Sequence, residues 1–95
     1  MENEIIVRHH EAERRYEAVV EGRAAECVYE PGGDPGVRVF THTFVPGELR
    51  GRGVAEALVR VALDDARRQR LRIVAACGYV AAFIRRHPGY RDLVA

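Results

Sequence analysis

The sequence predicts the α/β (α+β) class: a mostly antiparallel mixed sheet of about five strands, one parallel strand–helix–strand unit, and two helices. Three observations carry this. Short alternating or β-branched segments follow one another as far as Val45, separated by turn signals at Glu21-Gly22 and Pro31-Gly32-Gly33-Asp34-Pro35-Gly36. A long amphipathic stretch then runs from Val54 to about Gln69. A short apolar run, Leu71 to Cys77, comes next, and a strand reached through a helix should lie parallel to the strand before it.

The first strand is expected over Glu4 to His10, around Ile5-Ile6-Val7. The second covers Arg15 to Glu21, with Tyr16, Ala18 and Val20 at period two, and the third Arg23 to Glu30, where Ala25, Cys27 and Tyr29 alternate with acids and small residues. After the proline-glycine loop, Val37 to Val45 reads as a fourth strand rich in β-branched and aromatic residues. Strict alternation puts Phe40, His42 and Phe44 on one face and Val39, Thr41 and Thr43 on the other. Pro46 ends it, because proline has no N–H to give to a ladder. The long helix presents Val54, Leu58, Val61, Ala62 and Asp65 in one row, with Ala55, Val59, Leu63 and Ala66 beside it. Such a broad apolar face suits a helix lying on a sheet. Leu71 to Cys77 is the fifth strand, and Tyr79 to Arg86 a shorter helix stopped by His87-Pro88-Gly89. The tail, Tyr90 to Val94, is expected to pack back.

At 95 residues the chain has the size of one domain, spanning 1–95. Apolar content of 47% against 31% charged residues excludes a disordered or low-complexity chain. Met1 to Arg8 lacks the apolar core of a signal peptide, and no run reaches the length of a membrane span, so a cytoplasmic location without membrane contact is expected. Cys27 and Cys77 stand in no metal-type spacing, and the four histidines (His9, His10, His42, His87) supply none; no metal is expected.

Charge is unevenly spread. Met1 to Asp34 holds 4 arginines against 9 acids, while Arg50 to Arg72 holds 7 arginines against 3 acids. Every one of the 15 basic residues is Arg. A solvated helix face or an anion site would both produce this pattern, and arginine's forked geometry suits phosphate. Nucleic acid is a poor match: Glu56, Asp64 and Asp65 interrupt the basic half, and the few aromatics form no stacking platform.

Arg50-Gly51-Arg52-Gly53-Val54-Ala55 lies between a strand end and a helix start. Such a junction offers free N–H groups and the positive end of a helix dipole. Gly51 and Gly53 let the backbone curl close to a phosphate, and Arg50 and Arg52 can add charge-assisted contacts. A diphosphate would fit; a plain glycine turn with solvated arginines would give the same letters. Neither a phosphate-binding P-loop motif nor a dinucleotide-binding glycine pattern is present.

This loop, Arg50, Gly53 and Ala55 within [QR]-x-x-G-x-[GA], resembles the signature of the GNAT (GCN5-related) N-acetyltransferases. With His42-Thr43-Phe44-Val45-Pro46, Cys77-Gly78-Tyr79-Val80, and Phe83 followed by His87-Pro88-Gly89-Tyr90, the chain is similar to the minimal GNAT-like proteins of about a hundred residues. The resemblance implies acetyl-CoA (coenzyme A) as cosubstrate, its diphosphate on the backbone of Arg50 to Ala55. It implies a pantetheine arm in a cleft where the fourth and fifth strands diverge, with Thr43, Phe44 and Val45 beside the acyl end and Tyr79 and Phe83 as flanking aromatics. It departs from the wider superfamily in lacking room for the helices that usually follow the first strand and in ending without the usual last strands. An open acceptor site is therefore expected, for an amine acceptor that could be a protein lysine or a small molecule.

His42 and Cys77 are the candidate catalytic pair, as the resemblance implies. Cys77 could be an acyl-accepting nucleophile activated by His42. Alternatively His42 could deprotonate an amine that attacks the thioester directly. A small buried thiol and a core histidine would be the structural reading of the same two residues. Tyr90 could act as an acid toward the leaving thiolate, or simply pack the tail; His9, His10 and Cys27 are read as structural or solvated. A regulatory module that binds acetyl-CoA without turnover is the alternative function.

Overall fold

The computed structural model describes residues 5–95. One sheet of five strands has the order β1-β2-β3-β4-β5: β1 (Val7–His10), β2 (Arg15–Val20), β3 (Arg23–Pro31), β4 (Val37–Phe44) and β5 (Arg72–Ala75). The first four pair antiparallel in sequence order, and β4 pairs β5 in parallel. The crossover between them is helix α1 (Val54–Arg68); α2 (Gly78–Arg86) follows β5. The expected class and topology therefore hold.

Ends differ from expectation by a few residues. Of the first expected strand, Glu4 lies outside the described residues, and Ile5 and Ile6 are not in the ladder. Glu21 leaves the second strand for a left-handed turn at φ 54°, followed by Gly22 at φ 78°. The fifth strand is shorter than Leu71 to Cys77 because Ala76 and Cys77 bend away into α2.

The core is the layer between one sheet face and the two helices. Tyr16, Ala18, Ala25, Cys27, Tyr29, Phe40 and Ile73 meet Leu58, Val59, Ala62, Leu63, Ala66, Val80 and Phe83, all buried. Both predicted rows of the long helix contribute, as a broad apolar face requires. The tail closes this layer. Leu93 is buried, and Ala95 N–H donates to the Ile73 carbonyl at 2.9 Å.

One correction concerns β4. Cys27 pairs with Thr43 and Val28 with His42, but Tyr29 pairs with Phe40, leaving Thr41 as an extra residue. This β-bulge reverses the alternation. Phe40 is buried while His42 and Phe44 are exposed, so they do not share a face, and Thr43 turns inward instead. The Thr41 hydroxyl donates to the Val28 carbonyl at 3.4 Å, a partner for a group beside the bulge.

A polar network threads the other end of the layer. The Tyr16 hydroxyl donates to Asp65 on α1 and accepts from Arg38 at 3.0 Å. His9 stacks on the Tyr16 ring with centroids 4.1 Å apart and reaches the Tyr29 hydroxyl at 2.6 Å. Arg38 lies over the Tyr29 ring at 4.0 Å. Thus one carboxylate serves five side chains, those of His9, Tyr16, Arg38, Arg68 and Gln69, and ties β1, β2 and β4 to α1.

Candidate active site

The parallel pairing of β4 with β5 runs only from Val37↔Arg72 to Phe40↔Ala75. Beyond it β4 continues to Phe44 with no β5 partner, while the chain after Ala75 turns into α2. The bulge at Thr41 falls at this point, where an extra residue bends a strand. The strands part, and a cleft of about 580 Å³ opens between Thr41, His42 and Thr43 on one wall and Ala76, Cys77 and Gly78 on the other, with Tyr79, Ala82 and Arg86 of α2 along its length.

Both helices begin at this edge. The first internal bond of α1 runs from Ala57 N–H to the Gly53 carbonyl, and that of α2 from Ala81 N–H to the Cys77 carbonyl. The preceding N–H groups of each first turn are thus left for other partners. Gly51 and Gly53 adopt φ 78° and 81°, a region that residues with a Cβ rarely enter. A Cβ built on either would meet no atom within 4 Å, so the loop faces open space. A second hollow, about 150 Å³, is bounded by Val45, Arg50, Gly51, Gly53, Val54 and Ala55, and Tyr79 lines both it and the large cleft. The glycine loop and the cleft are therefore neighbours.

The two arginines of the loop are engaged. Arg50 Nε donates to the Val45 carbonyl at 3.3 Å, which holds the loop back against the end of β4. Arg52 makes a two-pronged contact with Glu21, at 2.8 and 3.1 Å. The Arg52 guanidinium beside it holds the Glu21 carboxyl below the usual carboxylate range.

His42 and Cys77 face the same cleft from opposite walls, and no hydrogen bond joins them. The Cys77 thiol donates instead to the Thr43 hydroxyl at 3.3 Å, and that hydroxyl reaches the Cys27 sulfur at 3.6 Å. Burial pushes the Cys27 thiol up to about 11, so it stays protonated. Phe44 is exposed on the outer face, and Val45 is buried beneath the loop. Phe83 is 1% exposed and belongs to the core, its ring against His87 and Tyr90; it also borders a small hollow shared with Tyr79 and Arg86. Tyr90 lines neither cleft: its hydroxyl donates to Asp64 at 2.7 Å, fastening the tail to α1.

Sequence reading missed the link through Thr43 between the two cysteines, which only the bulge creates. It also passed over Arg86, although its spacing from Tyr79 and Ala82 placed all three on one side of a helix.

A family profile for GCN5-related N-acetyl-transferases matches residues 15–93. The chain belongs to that family. It is similar to the solution NMR structure of a GCN5-like candidate N-acetyltransferase from Staphylococcus aureus. The TM-score is 0.73 at 26% identity, over 95% of this chain and 87% of that one. It is also similar to Protein NATD1 of Bos taurus, 40% identical over 47 residues, which are 50% of this chain and 42% of that protein. The match thus spans less than half of that relative's length. Family membership supports acyl transfer, and the mixed sheet with its parallel β4–α1–β5 unit is the GNAT fold.

Proposed function

We propose that this family member transfers an acetyl group from acetyl-CoA to an amine acceptor through the cleft between β4 and β5. The observation that carries the reading is the coincidence, on one sheet edge, of the strand parting after Phe40 and Ala75 with the glycine loop that opens α1. The diphosphate would lie on the N–H groups from Gly51 to Ala55, where the dipole of α1 favours negative charge. The pantetheine arm would pass Tyr79, which borders both hollows, with Thr43, Phe44 and Val45 beside the acyl end.

The acceptor nitrogen attacks the thioester carbonyl carbon. A C–N bond forms, the C–S bond breaks, and the CoA thiolate leaves. The amine proton passes to His42 and can return to the thiolate sulfur, so His42 ends as it began. Backbone N–H groups at the end of β4 would steady the carbonyl oxygen as charge builds on it. Direct transfer is preferred over a covalent acyl-cysteine, because the Cys77 thiol is bonded to Thr43 and not to the histidine that would activate it. Two free cysteines suit a reducing compartment such as the cytoplasm, and among the described residues no helix is long and apolar enough to cross a membrane.

Calorimetric titration with acetyl-CoA, beside an Arg50→Ala/Arg52→Ala variant, tests the reading. Micromolar binding that weakens in the variant supports it. A folded protein that binds no acetyl-CoA overturns it, and binding without transfer to any amine leaves a regulatory module.

A further inference from the structure

The lining of the β4–β5 cleft carries charge of one sign. Its ionisable side chains are His42, Cys77, Tyr79 and Arg86, and among the described residues no aspartate or glutamate borders it. Arg86 is exposed and makes no salt bridge among the described residues. A carboxylate does stand in the neighbouring hollow that Arg86 also borders, that of Glu56. It is already held by Arg60 at 3.1 Å and His87 at 3.5 Å. An arginine left without a counter-charge at the rim of a cleft is set to meet an anionic group of whatever enters.

The placement of Arg86 gives the spacing. Cys77 caps the start of α2 and Arg86 is its last residue; the nine residues from Gly78 to Arg86 advance by about 13 Å. Long helical side chains lean toward the N-terminus, which brings the guanidinium part of the way back toward the reacting end. An amine at the acyl carbon and an anion on Arg86 must therefore be several bonds apart. A cationic tail in the same position would meet Arg86, and the nearby acid, Glu56, is already engaged by Arg60.

We propose that the acceptor is a small primary amine carrying a carboxylate several bonds from its nitrogen, and that Arg86 holds this carboxylate. The proposal rests on the acetyl-transfer reading above and gives that reaction its acceptor class. It excludes polybasic peptides as the preferred acceptors. The transfer consumes the amine and yields its N-acetyl amide with free CoA, the amine proton ending on the thiol.

Three amines of equal chain length separate the possibilities: ε-aminocaproate, hexylamine and hexamethylenediamine, which end in an anion, a methyl group and a cation. Thiol release from acetyl-CoA is followed with each. The expected result is a kcat/KM for ε-aminocaproate roughly three- to tenfold above hexylamine, with the diamine slowest. Arg86→Ala should erase the preference, and Arg86→Glu should shift it toward the diamine. Acetyl-CoA affinity, titrated on the same variants, is expected to hold. Equal rates, or transfer to none of the three while acetyl-CoA still binds, would overturn the proposal. So would a loss of acetyl-CoA affinity in Arg86→Ala, which would assign the arginine to the nucleotide. Absence of acetyl-CoA binding by the folded wild-type protein would overturn the transfer reading itself, and the acceptor class with it.

Discussion

The Cys77 thiol donates to the Thr43 hydroxyl at 3.3 Å, and the same hydroxyl donates onward to the Cys27 sulfur at 3.6 Å. A hydroxyl can rotate to suit its partner, so Thr43 can accept from a thiol or donate to a thiolate. Thr43→Val removes both options. Alkylation of Cys77 by iodoacetamide near pH ~8, where the thiolate reacts, should slow several-fold in Thr43→Val and recover in Thr43→Ser. Mass spectrometry should find one label per native chain, because Cys27 is wholly buried with its thiol raised to about 11. Unchanged labelling in Thr43→Val would show that the hydroxyl has no hold on the sulfur.

Gly53 holds φ 81° as the residue that opens α1. Alanine there adopts a left-handed backbone at a cost of about 1 kcal/mol. For a chain of this size that lowers Tm by about 4–8 °C. The added methyl would project into the open space in front of the loop, so acetyl-CoA affinity should fall further than the stability loss alone explains. Thermal melts and titrations on Gly53→Ala read the two effects separately.

Glu21 competes with a phosphate for Arg52, whose two terminal nitrogens already bond it. Glu21→Gln weakens that competitor without altering the loop. Since the pair is solvent-exposed, Tm should stay within experimental error, while acetyl-CoA binding should tighten about twofold, an exposed ion pair being worth little. Weaker binding in Glu21→Gln would mean that the pair shapes the loop for its ligand.

The Tyr16–Asp65 network makes stability depend on pH. Burial lowers the His9 pKa from its ordinary 6.5, partly offset by Asp65. As pH falls through that value the unfolded chain takes up the proton first, so stability drops with acidification. Burial works against the Asp65 carboxylate, but hydrogen bonds from Tyr16 and Gln69 outweigh it and hold it below the ordinary 3.8. Its contribution is present above that value and is lost as pH falls through the lower one. Tm should therefore decline in two limbs. His9→Gln should flatten the first. Asp65→Asn should blunt the second and lower neutral-pH stability by about 1–3 kcal/mol, because Arg38 and Tyr16 keep their places without their partner. A single-limbed profile in the native protein would contradict this assignment.

Much of this was legible along the chain. Glycine, proline and period-two alternation are local signals, and they fixed the strands, the two helices and the parallel crossover before any contact was known. The turn before α1 was equally legible, since Gly51 and Gly53 are local breakers whatever surrounds them. The face assignment of β4 was not. Phe40-Thr41-His42-Thr43-Phe44 alternates without fault, and nothing in those letters says that one residue will slip out of the ladder.

Local chemistry by itself determined which segments are strands and helices, where the glycine-rich loop before α1 sits, and that His42 and Cys77 fall near the ends of adjacent strands. Tertiary structure decided what those residues touch. Pairing with β3 places the bulge at Thr41, which turns Thr43 inward to Cys77 and leaves His42 on the opposite wall. It also joined Tyr16 to Asp65 across 49 residues. Hydrogen-bond register and side-chain partnership are set by which strands and helices come together, a property of the packed chain that no single segment carries.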